Sequence, residues 1–199
     1  MGPVGWLYVG YMPTQRTLSD TAQTDRLNLS RPTSDDRDEL FAICSDHRVW
    51  SHFPSLRHTD PAQTASMLDR WIKNWDSDGL GTWVARVKGQ PSIIGYGGCG
   101  MLASTVWNLG YRFAADTHGR GYATELAREA LRHAERAAPG IPVIAYLVEH
   151  NEASARVAQK LGMQLVHRGP DAGNPDTAAI RLVYSTQPLS DDELAAALR

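Results

Sequence analysis

Asp116-Thr117-His118-Gly119-Arg120-Gly121-Tyr122-Ala123-Thr124-Glu125 is the stretch on which the reading of this chain turns. It stands between a strand-like run ending at Phe113 and a helical pattern whose apolar face is Ala123, Leu126, Ala127, Ala130, Leu131 and Ala134. Two glycines at such a junction let successive backbone N–H groups curve round an anion, and the helix start adds unpaired donors and the positive end of its dipole. That combination suits a diphosphate. Other phosphate loops fit badly: a Rossmann turn needs a glycine where Thr124 stands, and a Walker loop ends in Gly-Lys-Ser/Thr. A glycine pair also makes ordinary strand-to-helix turns, so the loop alone leaves both readings open.

Upstream of it, Trp83 to Val87, Ile93 to Leu102 and Val106 to Phe113 read as an antiparallel meander, with Trp107, Leu109, Tyr111 and Phe113 on one face of the last strand. Asp60-Pro61-Ala62-Gln63 supplies an N-cap carboxylate, a first-turn proline and a capping-box glutamine ahead of Met67, Leu68, Trp71, Ile72 and Trp75 at helical spacing. Earlier still, Leu27 and Leu29 alternate in a short strand stopped by Arg31-Pro32, and Ser34, Asp35 and Asp36 open a helix carrying Leu40, Phe41, Ile43 and Cys44. His47 to Pro54 has no period. It reads equally well as a loop over a site or as a connector pinned by Trp50 and Phe53.

Downstream the order changes to helix (Gly121 to Ala137), apolar strand (Val143 to Val148), helix (Asn151 to Leu161), extended segment (Met163 to Val166) and last strand (Ile180 to Tyr184). Residues 1–23 are expected to form an N-terminal extension contributing little to the core, 24–186 one domain, and 187–199 a tail whose polar helix stays outside the core.

With 199 residues, 42% of them hydrophobic, the chain suffices for one sizeable core. Twenty Lys and Arg against twenty-two Asp and Glu leave a formal charge of −2, so nothing suggests a general nucleic-acid binder. Cys44 and Cys99 form no Cys-x-x-Cys pair or Cys/His cluster, which argues against a disulfide framework or a metal site. The opening run from Met1 to Tyr11 is apolar but lacks a basic leader and is broken by Gly and Pro, so the expected location is cytoplasmic, without a membrane partner.

A second block, Asn151-Glu152-Ala153-Ser154-Ala155-Arg156-Val157-Ala158-Gln159-Lys160-Leu161-Gly162-Met163, reads locally as a helix capped by Asn151 and ended by Gly162. Together the two blocks, and the order of elements around them, resemble the GNAT superfamily of acyl-CoA N-acyltransferases, and within it the RimJ/RimL-like branch. The resemblance runs from Thr24-Asp25-Arg26-Leu27-Asn28-Leu29 to about Tyr184, with Gly119 and Gly121 on the small-residue positions of the family's Gln/Arg-x-x-Gly-x-Gly/Ala loop. Asp116 stands where the family usually carries Gln or Arg.

What the resemblance implies is an α+β GNAT fold. It consists of one mixed, mostly antiparallel sheet of about six or seven strands, splayed between its fourth and fifth and flanked by about four helices. It also implies acetyl-CoA as acyl donor, no metal, and monomer or homodimer. The pantetheine arm would lie along main-chain groups of Phe113, Ala114 and Ala115 like an added strand. His118, Gly119, Arg120, Gly121, Tyr122 and Ala123 would surround the diphosphate, Asn151 would bond the pantetheine, and Arg156 or Lys160 would meet adenosine phosphate charge. For either basic residue alone, a solvated helix face is the plainer account.

Transfer to an amine requires the neutral amine, attack on the thioester and a proton for the departing thiolate. The tyrosine that many members use for that proton would stand at Ala158, whereas Ser154 matches the serine of RimL-like members; its hydroxyl either serves the thiolate or caps its own helix. Glu149 is the first candidate base, with His118, His150 and His52 behind it. The implied activity is N-acetyl transfer from acetyl-CoA to a primary amine, on a protein N-terminus or a small molecule. A transferase of longer acyl groups and a catalytically weak acyl-CoA-binding regulator are the alternatives.

Overall fold

The computed structural model describes residues 19–199; residues 1–18, most of the expected N-terminal extension, lie outside the described residues. The strands are β1 (Thr21–Gln23), β2 (Leu27–Ser30), β3 (Thr82–Val87), β4 (Ile93–Leu102), β5 (Val106–Phe113), β6 (Val143–Val148), β7 (Gln164–Pro170) and β8 (Ile180–Ser185). The helices are α1 (Arg37–Ser45), α2 (Pro61–Asp78), α3 (Tyr122–Ala137), α4 (Glu152–Lys160) and α5 (Asp191–Leu198). All eight strands join one sheet in the order β1-β2-β3-β4-β5-β6-β8-β7. Every neighbouring pair is antiparallel except β5 and β6. This is the α+β GNAT fold, with the splay between the fifth and sixth strands because Thr21–Gln23 pairs with β2 and adds a strand at the edge.

Local sequence explains most element ends. Asp60 accepts from the Ala62 N–H (2.8 Å) while Gln63 Oε1 accepts from the Asp60 N–H (3.1 Å), so both orphan donors at the start of α2 are used. The helix read from Ser34 instead opens as a 3-10 turn, Ser34–Asp36, capped by Thr33, and becomes α-helical at Arg37. Asp36 is buried there and takes the Arg86 guanidinium at 2.6 Å, tying this corner to β3.

One face of the sheet packs Val84, Ile93 and Tyr96 against Leu40, Ile43, Cys44, Met67 and Leu68 of α1 and α2. The other packs Trp83, Trp107, Leu109 and Phe113 against Leu126, Ala127, Ala130 and Ala134 of α3. Glycine lets α3 approach closely: a Cβ on Gly97 of β4 would stand 2.7 Å from both Leu126 Cδ2 and Tyr111 Cβ. Contrary to the sequence reading, the terminal helix α5 joins the core, burying Ala196 and Ala197 against Val106, Ile144 and Val183. Its small residues gave little apolar signal, yet they allow close packing on the sheet. Among the described residues no helix is long and apolar enough to cross a membrane.

Candidate active site

The sheet opens at its parallel pairing. β5 and β6 are in register at Trp107 with Val143 and Asn108 with Ile144, and beyond those pairs they part. Trp107 N–H donates across this junction to Pro142 O (2.9 Å), while Ala114 N–H donates to Ile94 O on the β4 side (2.9 Å). Alternation along β5 therefore turns the main chain of Leu109, Tyr111 and Phe113 toward the gap. At Phe113, Ala114 and Ala115, where the sequence placed the pantetheine edge, the carbonyls are engaged within the chain: Phe113 O meets His118 Nε2 at 2.9 Å. The Ala114 carbonyl accepts from Thr117 N–H (2.9 Å) and Oγ1 (2.7 Å), and the Ala115 carbonyl accepts from His118 N–H (3.1 Å). The chain curls into a 3-10 turn, Ala115–Thr117, that takes up these two carbonyls, while the Ala115 N–H has no hydrogen-bond partner among the described residues.

That turn leads into the glycine loop. Gly119 (φ +76°) and Gly121 (φ +81°) are left-handed, a conformation that only glycine adopts without strain. α3 begins with no side-chain cap, and among the described residues the amides from Gly119 to Thr124 have no hydrogen-bond partner. A helix start left open in this way is an anion cradle.

The loop is held from behind by residues that the sequence reading did not single out for it. Arg26 Nη1 donates to Arg120 O (2.9 Å), Arg26 Nε donates to Glu125 Oε2 (2.7 Å), and the guanidinium lies 4.7 Å over the Tyr122 ring. Thr24 Oγ1 donates to Glu125 Oε1 (2.5 Å). Burial works to raise the Glu125 pKa, but the bonds from Thr24 and Arg26 outweigh it and hold the carboxyl below its ordinary value. Arg120 thus contributes its carbonyl to the brace, and its exposed side chain does not line the cavity. Asp116 is neutralised by Arg48, which reaches it at 2.8 Å and Asp46 at 2.7 Å.

Two cavities meet at the gap. The first, about 620 Å³, runs from Gly119, Gly121, Tyr122 and Ala123 past His118 to Asn151, Arg156 and Lys160 at the start and outer face of α4. The second, about 450 Å³, lies among Asn108, Tyr146, Asp171 and Arg181. His52, Tyr111, Arg112, Asn151 and Ser154 line both and form their common wall. The period-free segment from His47 to Pro54 combines its two readings: Trp50 is a buried pin, helped by Val49 in place of the expected Phe53, which is only partly buried and lines the second cavity, while Arg48, Ser51 and His52 face the first.

In the common wall, Asn151 caps α4 by accepting from Ser154 N–H (3.1 Å), so the serine is not the cap and its hydroxyl is left for the cavity. That hydroxyl faces the Tyr111 phenol, whose pKa burial pushes up while the Ser154 hydrogen bond pulls it down. Arg112 lies 3.6 Å over the Trp50 ring and donates through Nη1 to His52 Nε2 (2.9 Å). Burial first, and the Arg112 charge next, lower the His52 pKa to about 4, so the ring is neutral near pH 7. His118 donates through Nε2 to Phe113 O and His150 through Nε2 to His52 O, each at 2.9 Å.

Glu149 departs from its expected role. It is 44% exposed, lines neither cavity, and is clamped by Arg168 Nε (2.7 Å) and Nη2 (3.0 Å), a hydrogen-bonded pairing that lowers its pKa. A base working near neutral pH needs the opposite shift. Arg156 faces the first cavity while holding Glu152 at 3.1 Å. Among the described residues no group of three or more His, Cys, Asp and Glu has metal-binding geometry.

Residues 26–164 match the family model of the acetyltransferase (GNAT) domain. The uncharacterized protein YkkB of Bacillus subtilis (strain 168) is 31% identical over 146 residues, covering 70% of this chain and 83% of its own. A GNAT-family acetyltransferase from Bordetella pertussis superposes with a TM-score of 0.71 at 21% identity, over 84% of this chain and 99% of that one. The ribosomal L7/L12 α-N-protein acetyltransferase RimL, solved with coenzyme A, gives 0.70 at 14% identity, over 81% and 94%. With the family model matched across most of its length and the sheet parting beside an open helix start, the chain belongs to the GNAT acetyltransferases.

Proposed function

We propose that this protein transfers an acetyl group from acetyl-CoA to a primary amine by direct attack, without an acyl-enzyme. The observation that carries the reading is the run of unpartnered amides from Gly119 to Thr124, opening on a cavity that leads to the gap between β5 and β6. The residues present fit the donor: backbone N–H groups and the α3 dipole for a diphosphate, the Tyr111 and Phe113 strand edge and Asn151 for an amide-bearing arm, Arg156 and Lys160 for outer phosphate charge. RimL, whose structure contains coenzyme A, shares the fold and lends support. The branch resemblance and the two buried free cysteines are in keeping with a cytoplasmic RimJ/RimL-like enzyme.

In this reading Ser154 is the group beside the sulfur, with the Tyr111 hydroxyl facing it from behind. When the C–S bond breaks, the Ser154 hydroxyl gives its proton to the thiolate and is resupplied through Tyr111. The amine enters neutral, forms the new C–N bond and loses its extra proton to solvent through the second cavity, because Glu149 is tied up by Arg168. The acceptor is a protein N-terminus or a small molecule.

Two measurements test the proposal. Saturating acetyl-CoA should raise the Tm by several degrees, since a ligand specific to the folded state stabilises it by mass action. Free thiol should then appear when an amine panel is added. No thermal shift at millimolar acetyl-CoA would sink the reading; a shift without thiol release would favour an acyl-CoA-binding regulator instead.

A further inference from the structure

We propose that Arg112 is a binding residue for a carboxylate on the acceptor, so that the amine acetylated here is a small molecule that also carries an anionic group. This rests on the acetyl-transfer reading and names its substrate class. The first observation is position: Arg112 lines both cavities, as Tyr111 and Ser154 do, at the gap where the reacting groups would meet.

The second is charge balance. Arg48, Arg156 and Arg181 line the same cavities, and each has a carboxylate, from Asp46 and Asp116, Glu152 and Asp171 respectively; Lys160 lines only the first cavity and Arg199 only the second, at their outer ends. Arg112 has none among the described residues; its partners are a neutral imidazole, an indole face and the buried Tyr96 phenol, none of them an anion. A half-buried guanidinium without a counter-ion is costly unless something brings one, and its planar fork matches a carboxylate. On the acceptor side the one acidic lining residue, Asp171, is 6% exposed and engaged by Arg181 (2.5 Å) and Asn174 (2.7 Å). That cavity therefore offers no free acid to an ammonium group and an unspent cation to an anion.

The third observation is rigidity. Stacking on buried Trp50 and the bond to His52 fix the plane of the guanidinium before anything binds. The other anion sink, the loop at Gly119 and Gly121, lies at the far end of the first cavity and is already matched to a diphosphate. Of the lining cations without a carboxylate, Arg112 is the one that stands in the wall common to both cavities, within reach of the second substrate.

The test uses matched acceptors, amino acids and their amides, together with short peptides, in thiol release from acetyl-CoA by the full chain. The amide's amine is the less basic of each pair, so at neutral pH the comparison is biased against the acid. The expected result is a kcat/KM at least tenfold higher for acids than for their amides, expressed mainly in KM. Arg112→Gln should bring that ratio to about one, and Arg112→Lys should restore part of it, with circular dichroism and Tm showing both variants folded. Acids no better than amides, an acid preference that survives Arg112→Gln, or turnover confined to peptides would each overturn the inference. So would a panel without turnover on a protein that calorimetry shows to bind acetyl-CoA, whereas absent acetyl-CoA binding is the separate failure of the transferase reading.

Discussion

At the scale of the residue, the wall between the cavities separates chemistry from support. Ser154 has lost the capping role to Asn151 and faces Tyr111, so two hydroxyls stand together where Ala158 denies the helix its tyrosine. If they act as proposed, Ser154→Ala should lower kcat about 100-fold or more with little change in acetyl-CoA affinity, as expected for one proton-transfer group. Tyr111→Phe should cost less, and the double variant should cost little more than Ser154→Ala alone, because both lie on one proton path. Additive losses in stopped-flow thiol release would break that link. Glu149 teaches the converse lesson. Its place at the end of β6 is legible in sequence, but its partner Arg168 comes from β7, and no spacing along the chain announces a pairing between strands.

At the scale of the element, the sequence marked what depends on period and punctuation. The Asp60-Pro61 cap, the apolar stripe of α3, the meander and the Gly119/Gly121 loop all have causes contained within a few consecutive residues. The brace on that loop does not. Arg26 and Glu125 meet across the fold, and only the placement of β2 beside the start of α3 brings them together. Arg112 was equally hidden, since period-two alternation assigns it merely to the face opposite Tyr111. Gly97 leaves no room for a side chain between β4, β5 and α3. Gly97→Val would push Leu126 of α3 off the sheet and strain the β4–β5 pairing at Tyr111, and should destabilise the protein by about 1–3 kcal/mol, as overpacking does, read in urea unfolding. Unchanged stability would mean that the interface has slack the structure does not display.

For the whole molecule, the same buried wall connects acidity to folding. His52 has a folded-state pKa lowered to about 4, with Arg112, His118 and His150 all opposing its charge. Because the folded value lies below the unfolded one of about 6.5, the unfolded chain binds the extra proton first. Stability from this ring is therefore complete above about pH 6.5 and is lost as pH falls from there toward 4. The slope should be at most about 1.4 kcal/mol per pH unit, and less for a half-exposed ring screened by solvent. His52→Gln should flatten that part of the profile of unfolding free energy against pH; an unaltered slope would assign it to other groups.

The parting of β5 from β6 has one further consequence. A sheet that closed fully would keep its two flanks remote from each other, whereas at this slit two chambers lie back to back across five shared residues, each with its own doorway. If donor and amine each keep to their own doorway, neither has to vacate before the other arrives, and the products can depart in whichever order their own grip allows.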